Sequence, residues 1–460
     1  MAYSLARRRY SVVSSIFARI ANSFDCSCNL GHRRRRMSAL NSAPSKITPP
    51  WLMLPPALKG GGGDMVYRFY NLAEGRVESL PKRRSSSGSK GKSESESELP
   101  GDECKFVGSS HGWLVLFNPR NYGLFLSNPI TRRHIKLPSI QTLPDPNINF
   151  HGIVSKVILS CSPDEEDEED ECRALMIFGP EDRLAFCQPR RSTKWTPIGN
   201  LYYDDWDCKP PWRYMDIVYS SRQKLLFCLA AFGVLECWDL RDPKMIPRIC
   251  WWDRLGYLND EAGALDENRI NRSVGGQADV IIHLCLVFAE QSNQLFIVKR
   301  RVSSRMSPDG SYPIPIYFSK YRGWDNNKFP YQTIGFDVNK VDWNIDEEGE
   351  QKVKFKYTYM KSSLGDAAMF LGMNHSFAIT AVDEYPELKL KPDCIYFADT
   401  NRHPRPAGSF YGGHDIGIFH YGNRIFSPCF YPWEVDKIKR IVPAPMWFTP
   451  SPSTLHKYSD

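Results

Sequence analysis

Past residue 64 the chain is a succession of short apolar runs, some alternating with polar positions and others apolar on both faces. Gly, Pro, Asn, Asp and Ser cut these runs at near-regular intervals, a pattern that predicts strands and turns. Met65–Tyr70 and Arg76–Leu80 read as a hairpin about the Asn71–Gly75 turn. Phe106–Ser109, Trp113–Phe117, Leu124–Ser127 and His134–Leu137 form a first group of four strands. The cadence returns in Val154–Leu159, Ala174–Phe178, Leu184–Cys187 and Trp195–Ile198, and again in Met215–Tyr219, Leu225–Leu229, Val234–Trp238 and Met245–Ile249. A more spread copy runs through Ile282–Phe288, Leu295–Arg300, Thr333–Asp337 and Lys352–Tyr359. The last contains Met369–Gly372, Phe377–Ala381, Cys394–Ala398, Ile416–His420 and Arg424–Pro428.

Copies begin near residues 106, 154, 214, 282 and 368. A period of roughly 50 residues, stretched by insertions, is that of propeller blades. The expected fold is therefore all-β: a single β-propeller of four-stranded blades over 65–441, six by this count with seven as the alternative. A propeller closes by sharing a terminal strand, and the hairpin at 65–80 is the natural closing element, being too small to stand alone. Residues 41–64, rich in Pro and with four glycines at 60–63, read as a linker and docking segment, and 442–460 as a C-terminal tail. Residues 82–98 (Ser, Gly, Lys and Glu) and the eight consecutive acids 164–171 are expected as solvated, disordered insertions.

Charge changes the picture at the amino terminus. The first 40 residues hold eight arginines, no lysine and one acid, and without them the basic and acidic residues balance. Val12, Val13, Ile16, Phe17, Ile20 and Phe24 fall on one helical stripe. Such an acid-poor, Ser- and Arg-rich amphipathic segment is the signature of a cleavable organellar transit peptide over 1–40, with Arg7, Arg8, Arg9 and Arg19 as import determinants. Arg35 and Arg36 stand just before a cleavage position at Met37. Mitochondrion is the first expectation. Plastid is an alternative, as is the nucleus through Arg33–Arg36 and Lys82-Arg83-Arg84.

The 13 cysteines form no Cys-x-x-Cys pair, and several sit inside apolar runs, as in Leu226-Phe227-Cys228-Leu229. That usage fits a reducing compartment, with no disulfide framework, zinc site or other metal or cofactor. No apolar run approaches the length of a membrane span, so no membrane insertion is expected. Charge balance in the body also removes the simplest argument for nucleic acid.

Val107-Gly108-Ser109-Ser110-His111-Gly112-Trp113-Leu114 and Leu126-Ser127-Asn128-Pro129-Ile130-Thr131-Arg132-Arg133-His134-Ile135-Lys136-Leu137-Pro138 resemble the F-box-associated propellers of plants. More narrowly, the chain resembles the plant domain-of-unknown-function 295 family, the KIB-type β-propellers. Trp51, inside Pro50-Trp51-Leu52-Met53-Leu54-Pro55, precedes the first hairpin as in that family. The run from Leu364 through Asp366, Gly372, Asn374 and His375 to Ser376 matches its most distinctive segment, and Lys391–Asp399 then leads to Asp415–Phe419. Residues 1–50 lack the leucine-rich pattern of an F-box, so the resemblance implies the organellar branch without that adaptor, with no established reaction.

The candidate chemistry is thin. Gly108-Ser109-Ser110-His111-Gly112 has the spacing of a nucleophile elbow, but a strand rather than a helix follows it. Gly112, Trp113, Asn128, Pro129, Asp366, Gly372, Asn374 and His375 read as structural: turn formers, a packed ring and hydrogen-bonding groups between strands. His414 and His420, with Asp415, are too far apart along an extended strand to share a metal. The expected function is a non-catalytic protein-interaction propeller inside an organelle, its partner unidentified. An enzyme acting through His375 or Ser110 is one alternative, and two others remain. One is an organellar RNA-binding factor using Tyr317, Lys320, Tyr321, Arg322, Trp324, Lys328 and Tyr331. The other is an F-box-like substrate receptor or nuclear regulator, if the leader is not a transit peptide.

Overall fold

The computed structural model describes residues 48–59, 64–81, 104–143, 154–164, 171–180, 182–199, 213–230, 234–241, 248–251, 280–314, 329–345, 353–380, 382–400 and 408–451. Their regular structure is strand apart from short 3-10 turns. The opening sheet holds β1 (Trp51–Lys59), β2 (Asp64–Asn71) and β3 (Arg76–Pro81), with β25 (Met446–Phe448) outside β1. The second runs β4 (Lys105–Ser110), β5 (Trp113–Asn118), β6 (Gly123–Asn128) and β7 (Arg133–Leu137). The third comprises β8 (Val154–Leu159), β9 (Ala174–Phe178), β10 (Arg183–Cys187) and β11 (Thr196–Ile198). The fourth comprises β12 (Tyr214–Ser220), β13 (Leu225–Ala230), β14 (Val234–Trp238) and β15 (Arg248–Trp251).

The remaining strands share one nine-stranded sheet. One half is β16 (Val280–Ala289), β17 (Gln294–Ser303), β18 (Gln332–Ile345) and β19 (Val353–Tyr359). The other is β20 (Ala368–Leu371), β21 (Phe377–Ile379), β22 (Cys394–Phe397), β23 (Gly417–His420) and β24 (Ile425–Ser427). A single parallel pair, Phe288 with Phe377, links the halves.

Burial explains these patterns. Inner strands such as β5 and β6 are buried along their whole length, which is why they read as continuous apolar runs. The last strand of the second sheet, β7, alternates: Arg133 and Lys136 are exposed while Ile135 and Leu137 are buried. Side chains from facing sheets then form apolar layers. Trp51, Met53 and Phe69 of the first sheet meet Leu114 and Leu116 of the second. Trp113 and Leu126 meet Val157 and Met176, and Ile158 and Leu175 meet Ile217 and Leu226. Phe227 and Leu229 meet Leu286 and Ile297, and Val298 and Phe336 meet Met369 and Phe397. Finally Phe370 and Tyr396 meet Leu52, Leu54 and Trp447 of the first sheet. The series of layers returns to its start, so the sheets stand in a closed ring. This is a β-propeller.

Two boundaries differ from the sequence expectation. Within the expected linker 41–64, Trp51–Lys59 is strand β1, and within the expected tail 442–460, Met446–Phe448 is strand β25. Closure therefore rests on the pairing of β25 with β1, as well as on the hairpin at 65–80. Prolines flank β1 and lie within it, and they signal a linker, but burial on both faces outweighs that signal. Trp51 and Met53 face one neighbouring sheet while Leu52 and Leu54 face the other. Pro55 and Pro56, which cannot donate to a ladder, sit where the β1–β2 register shifts between Leu54 and Ala57. The insertion at 82–98 lies outside the described residues, as do 165–170 of the acidic run and all of 1–47.

A register shift also recurs at one place in three sheets. It falls between Phe106 and Gly108 in β4, between Val154 and Lys156 in β8, and between Tyr214 and Asp216 in β12. Each bulge aims the following residue at the next sheet. A Cβ at Gly108 would stand 2.0 Å from the Val157 carbonyl oxygen. Gly108 thus lets the first strands of neighbouring sheets touch, while the equivalent Lys156 and Asp216 bond to one another.

Candidate functional site

The arginines Arg7, Arg8, Arg9, Arg19, Arg35 and Arg36 lie outside the described residues. The residues singled out by the family resemblance are placed. The Trp51 ring packs against Phe69 and Phe448, at 5.7 and 6.2 Å between centroids. Gly112 turns between β4 and β5 with φ +79°, and a Cβ there would come within 3.0 Å of the Ser451 backbone nitrogen. Trp113 is fully buried and its indole N–H donates to Ser162 Oγ at 3.4 Å. Asn128 caps the β6–β7 turn by accepting from the backbone N–H groups of Ile130 and Thr131, each at 3.0 Å, with Pro129 buried beside it. Gly372 leaves room for the Asn374 side chain, whose Oδ1 would lie 2.9 Å from a Cβ. Asn374 donates to the His375 carbonyl at 2.8 Å. Asp366 is exposed, so the structure does not gather the Asp366–His375–Ser376 segment into one acid–base constellation.

His375 is the node where three sheets meet. Its backbone N–H donates to the Ser109 carbonyl of β4 at 2.8 Å. Its Nε2 accepts from the Tyr219 N–H of β12 at 3.1 Å. Since a backbone N–H can only donate, Nε2 carries no proton and the ring proton resides on Nδ1, 3.4 Å from Ser110 Oγ. Ser110 in turn donates to the Leu159 carbonyl of β8 at 3.3 Å. This polarity is the reverse of a nucleophile and its base: the imidazole offers Ser110 a proton and removes none. Burial holds His375 well below the ordinary histidine value, and the nearby His111 and Lys156 add to the effect.

A titration follows from that shift. The unfolded chain takes up a proton near pH 6.5 that the folded His375 refuses, so this residue's contribution to stability is lost as pH falls below about 6.5. Melting temperatures from pH 7.5 to 5.5 should fall more steeply for the native protein than for H375Q. Equal slopes would remove His375 from this role.

Sequence reasoning missed two further buried polar clusters. Lys156 Nζ stands 2.6 Å from Asp216 Oδ1, and both side chains are buried. Asp216 also accepts from the backbone N–H groups of Ile217 and Leu286, at 2.9 Å each, so one carboxylate serves β8, β12 and β16. In the second cluster, Arg300 is fully buried on β17. It bonds to Asp415 Oδ2 at 2.9 Å, to Thr333 Oγ1 at 2.8 Å and to the Ala398 carbonyl at 2.7 Å. Tyr331 donates to Asp399 beside it, and burial, followed by the charge of Asp415, raises the Asp399 carboxyl. His414 spans Tyr331 O and the Gly412 N–H and contributes to no metal set; among the described residues no His, Cys, Asp and Glu group could hold a metal ion. The sequence signal was present in Lys299-Arg300-Arg301, three cations inside an otherwise apolar strand, each of which needs a partner once buried. Tyr331 is buried in this cluster and presents no ring for stacking on a base; Tyr317, Lys320, Tyr321, Arg322, Trp324 and Lys328 lie outside the described residues.

Cys394 Sγ lies 3.3 Å from His420 Nδ1, whose Nε2 lies 2.8 Å from Ser427 Oγ. The order of groups suggests an activated thiol, but burial pushes Cys394 up to about 11 and His420 down. Both groups stay neutral, and the thiol is enclosed in β22.

A family model, the KIB1-4 beta-propeller, matches residues 80–420. The chain belongs to the KIB1-4 beta-propeller family. The match runs from the end of β3 to the end of β23, so it includes the Asn128 turn, the His375 node and both buried ion-pair clusters. No curated protein matches the sequence. Solved structures with some similarity include the Cps50 (Swd1) β-propeller domain of Myceliophteria thermophila. It is 11% identical with a TM-score of 0.28, covering 66% of this chain and 85% of that one. Another is Hsv2 of Kluyvelomyces marxianus, 9% identical with a TM-score of 0.29, covering 66% of this chain and 69% of that one. A third is the WD40 domain of SCAP from fission yeast, 8% identical with a TM-score of 0.25, covering 72% and 92%.

Proposed function

We propose that this KIB-type propeller is a six-bladed, non-catalytic scaffold that binds a partner protein inside an organelle, the mitochondrion first. The observation that carries the reading is the use to which the ring puts its titratable groups. His375, Lys156 and Asp216 spend their donors and acceptors on strands of neighbouring sheets, and Arg300 and Asp415 spend theirs on each other across the two halves of the nine-stranded sheet. Groups committed in this way hold the sheets together and are not poised toward a substrate. The six apolar layers between sheets support the blade number, with the nine-stranded sheet counting as two blades. The arginine-rich, acid-poor composition of residues 1–40 supports import, and among the described residues no helix is long and apolar enough to cross a membrane.

Residues 1–40 fused to a reporter should enter mitochondria, and changing Arg7, Arg8, Arg9 and Arg19 to Glu should stop entry. Crosslinking in isolated organelles should then recover a defined protein partner. Nuclear accumulation of the intact protein without an organellar pool would overturn the location. Stoichiometric co-purification with a cullin scaffold adaptor would replace the reading with that of a ubiquitin-ligase receptor.

A further inference from the structure

Two turns from neighbouring sheets bring arginines to one place. The β6–β7 turn carries Arg132 and leads into Arg133 at the start of β7, both exposed, and with Thr131 and His134 they line an open cavity of about 460 Å³. The turn between β10 and β11 carries Arg190 and Arg191, also exposed. Each turn is fixed. Asn128 accepts from Ile130 and Thr131 in the first, while in the second Gln188 N–H donates to Ser192 Oγ at 2.9 Å and the Gln188 carbonyl accepts from Ser192 N–H at 2.9 Å. The sheets behind them are tied by Trp195, whose indole N–H donates to the Pro138 carbonyl at 2.7 Å. The arginines therefore stand on rigid supports.

Carboxylates of the chain itself already sit on this surface. Asp164 pairs with Arg133 and, at 3.2 Å, with Arg190. Glu171 pairs with Arg191 at 2.6 Å and accepts from Gln188. Asp164 and Glu171 are the two ends of the run of eight acids between β8 and β9.

We infer that the Arg132–Arg133 and Arg190–Arg191 surface is the docking site for an acidic peptide segment of the partner protein. Asp164 and Glu171 show the ligand chemistry it accepts: carboxylates spaced along a backbone, each meeting one or two guanidinium groups. Guanidinium forks suit carboxylates geometrically, and arginine clusters are a recurring means of reading acidic motifs. The internal pairs are also displaceable. The side chains of Arg133 and Arg191 are 52% and 54% exposed, and ion pairs at such exposure are weak and screened by salt. The tethered carboxylates act as an intramolecular competitor, so the free chain should bind an acidic peptide more weakly than its arginines allow.

This inference rests on the scaffold reading above, and its test separates the two. The probe is a labelled Glu-Glu-Asp-Glu-Glu-Asp peptide, with its all-amide counterpart and a uridine hexanucleotide as comparisons, followed by anisotropy on the full chain. A variant with the eight acids 164–171 changed to their amides should bind the acidic peptide at least about tenfold more tightly than the native chain, with affinity falling as salt rises. R133Q/R190Q/R191Q should lose that binding, and thermal melts establish that it remains folded. Should it not fold, the comparison of native and amide chains decides alone. Equal affinity for acidic and all-amide peptides, or no gain in the amide variant, would overturn the proposal. So would tighter binding of the hexanucleotide, which would make the surface one for phosphates. In isolated organelles, a partner crosslinked equally by the native chain and the triple-Gln variant would overturn this site while leaving the scaffold role intact. Absence of any partner on the native chain would overturn both.

Discussion

A chain ending at residue 445 should not fold cooperatively. Such a chain lacks β25, whose Met446, Trp447 and Phe448 are fully buried. Each large apolar side chain of this kind contributes about 1.5–3 kcal/mol on burial, so their loss removes about 5–9 kcal/mol. That is the size of a whole domain's net stability, about 5–15 kcal/mol. The loss also strips β1 of its ladder partner along Trp51, Leu52 and Met53, leaving an apolar strand edge prone to pairing between molecules. Two apolar layers thin at once, since Trp447 packs against Phe370 and Tyr396 while Phe448 packs against Trp51 and Phe69. Expression in the soluble fraction and a thermal melt provide the measurement. A chain ending at residue 451 should melt as the full protein does, and a soluble, sharply melting protein ending at 445 would show that the ring closes without β25.

The second large effect is expected at the Lys156–Asp216 pair, and it should be lopsided. Removing one partner of a buried ion pair strands the other charge and costs about 3–5 kcal/mol. D216A does this and also leaves the Ile217 and Leu286 backbone donors without their acceptor. K156M leaves a carboxylate that keeps both backbone donors and replaces the lysine stem with an apolar chain of similar length. D216A should therefore lower the urea midpoint well beyond K156M, and the double variant should cost less than the sum of the two. Equal midpoints for the single variants would mean that the backbone bonds to Asp216 contribute nothing.

The strands between residues 64 and 430 were legible because both signals agreed, apolar runs of strand length and turn residues at the gaps. Val154–Leu159, Ala174–Phe178 and Val234–Trp238 carry the expected bounds. The closing strands were hidden. β1 is flanked and interrupted by prolines, and β25 is three residues long, too short for any periodicity to register. What makes both of them strands is tertiary: each finds a partner about 400 residues away. The polar nodes were half legible. The segment holding His375 stood out, but its partners Ser109, Ser110 and Tyr219 come from two other sheets, and spacing in one sequence cannot show that. Asp366 shares the same segment and points away, because the turn before β20 leaves it at the surface. Arg300 and Asp415 carry no local pattern linking them, and only the demand that a buried cation be paired connects the two.

Among the described residues, the pairing of Trp51 with Phe448 joins the earliest and latest strands to be synthesised. Every other sheet can assemble from neighbours in the chain as it emerges. The first sheet alone must wait, holding β1, β2 and β3 together with one apolar edge uncovered until the last blade has been made. Contacts of such long sequence separation form slowly, and a chaperone is the natural cover for the edge in the interval. The order of synthesis thus leaves the β1 edge unlatched until β25 is available.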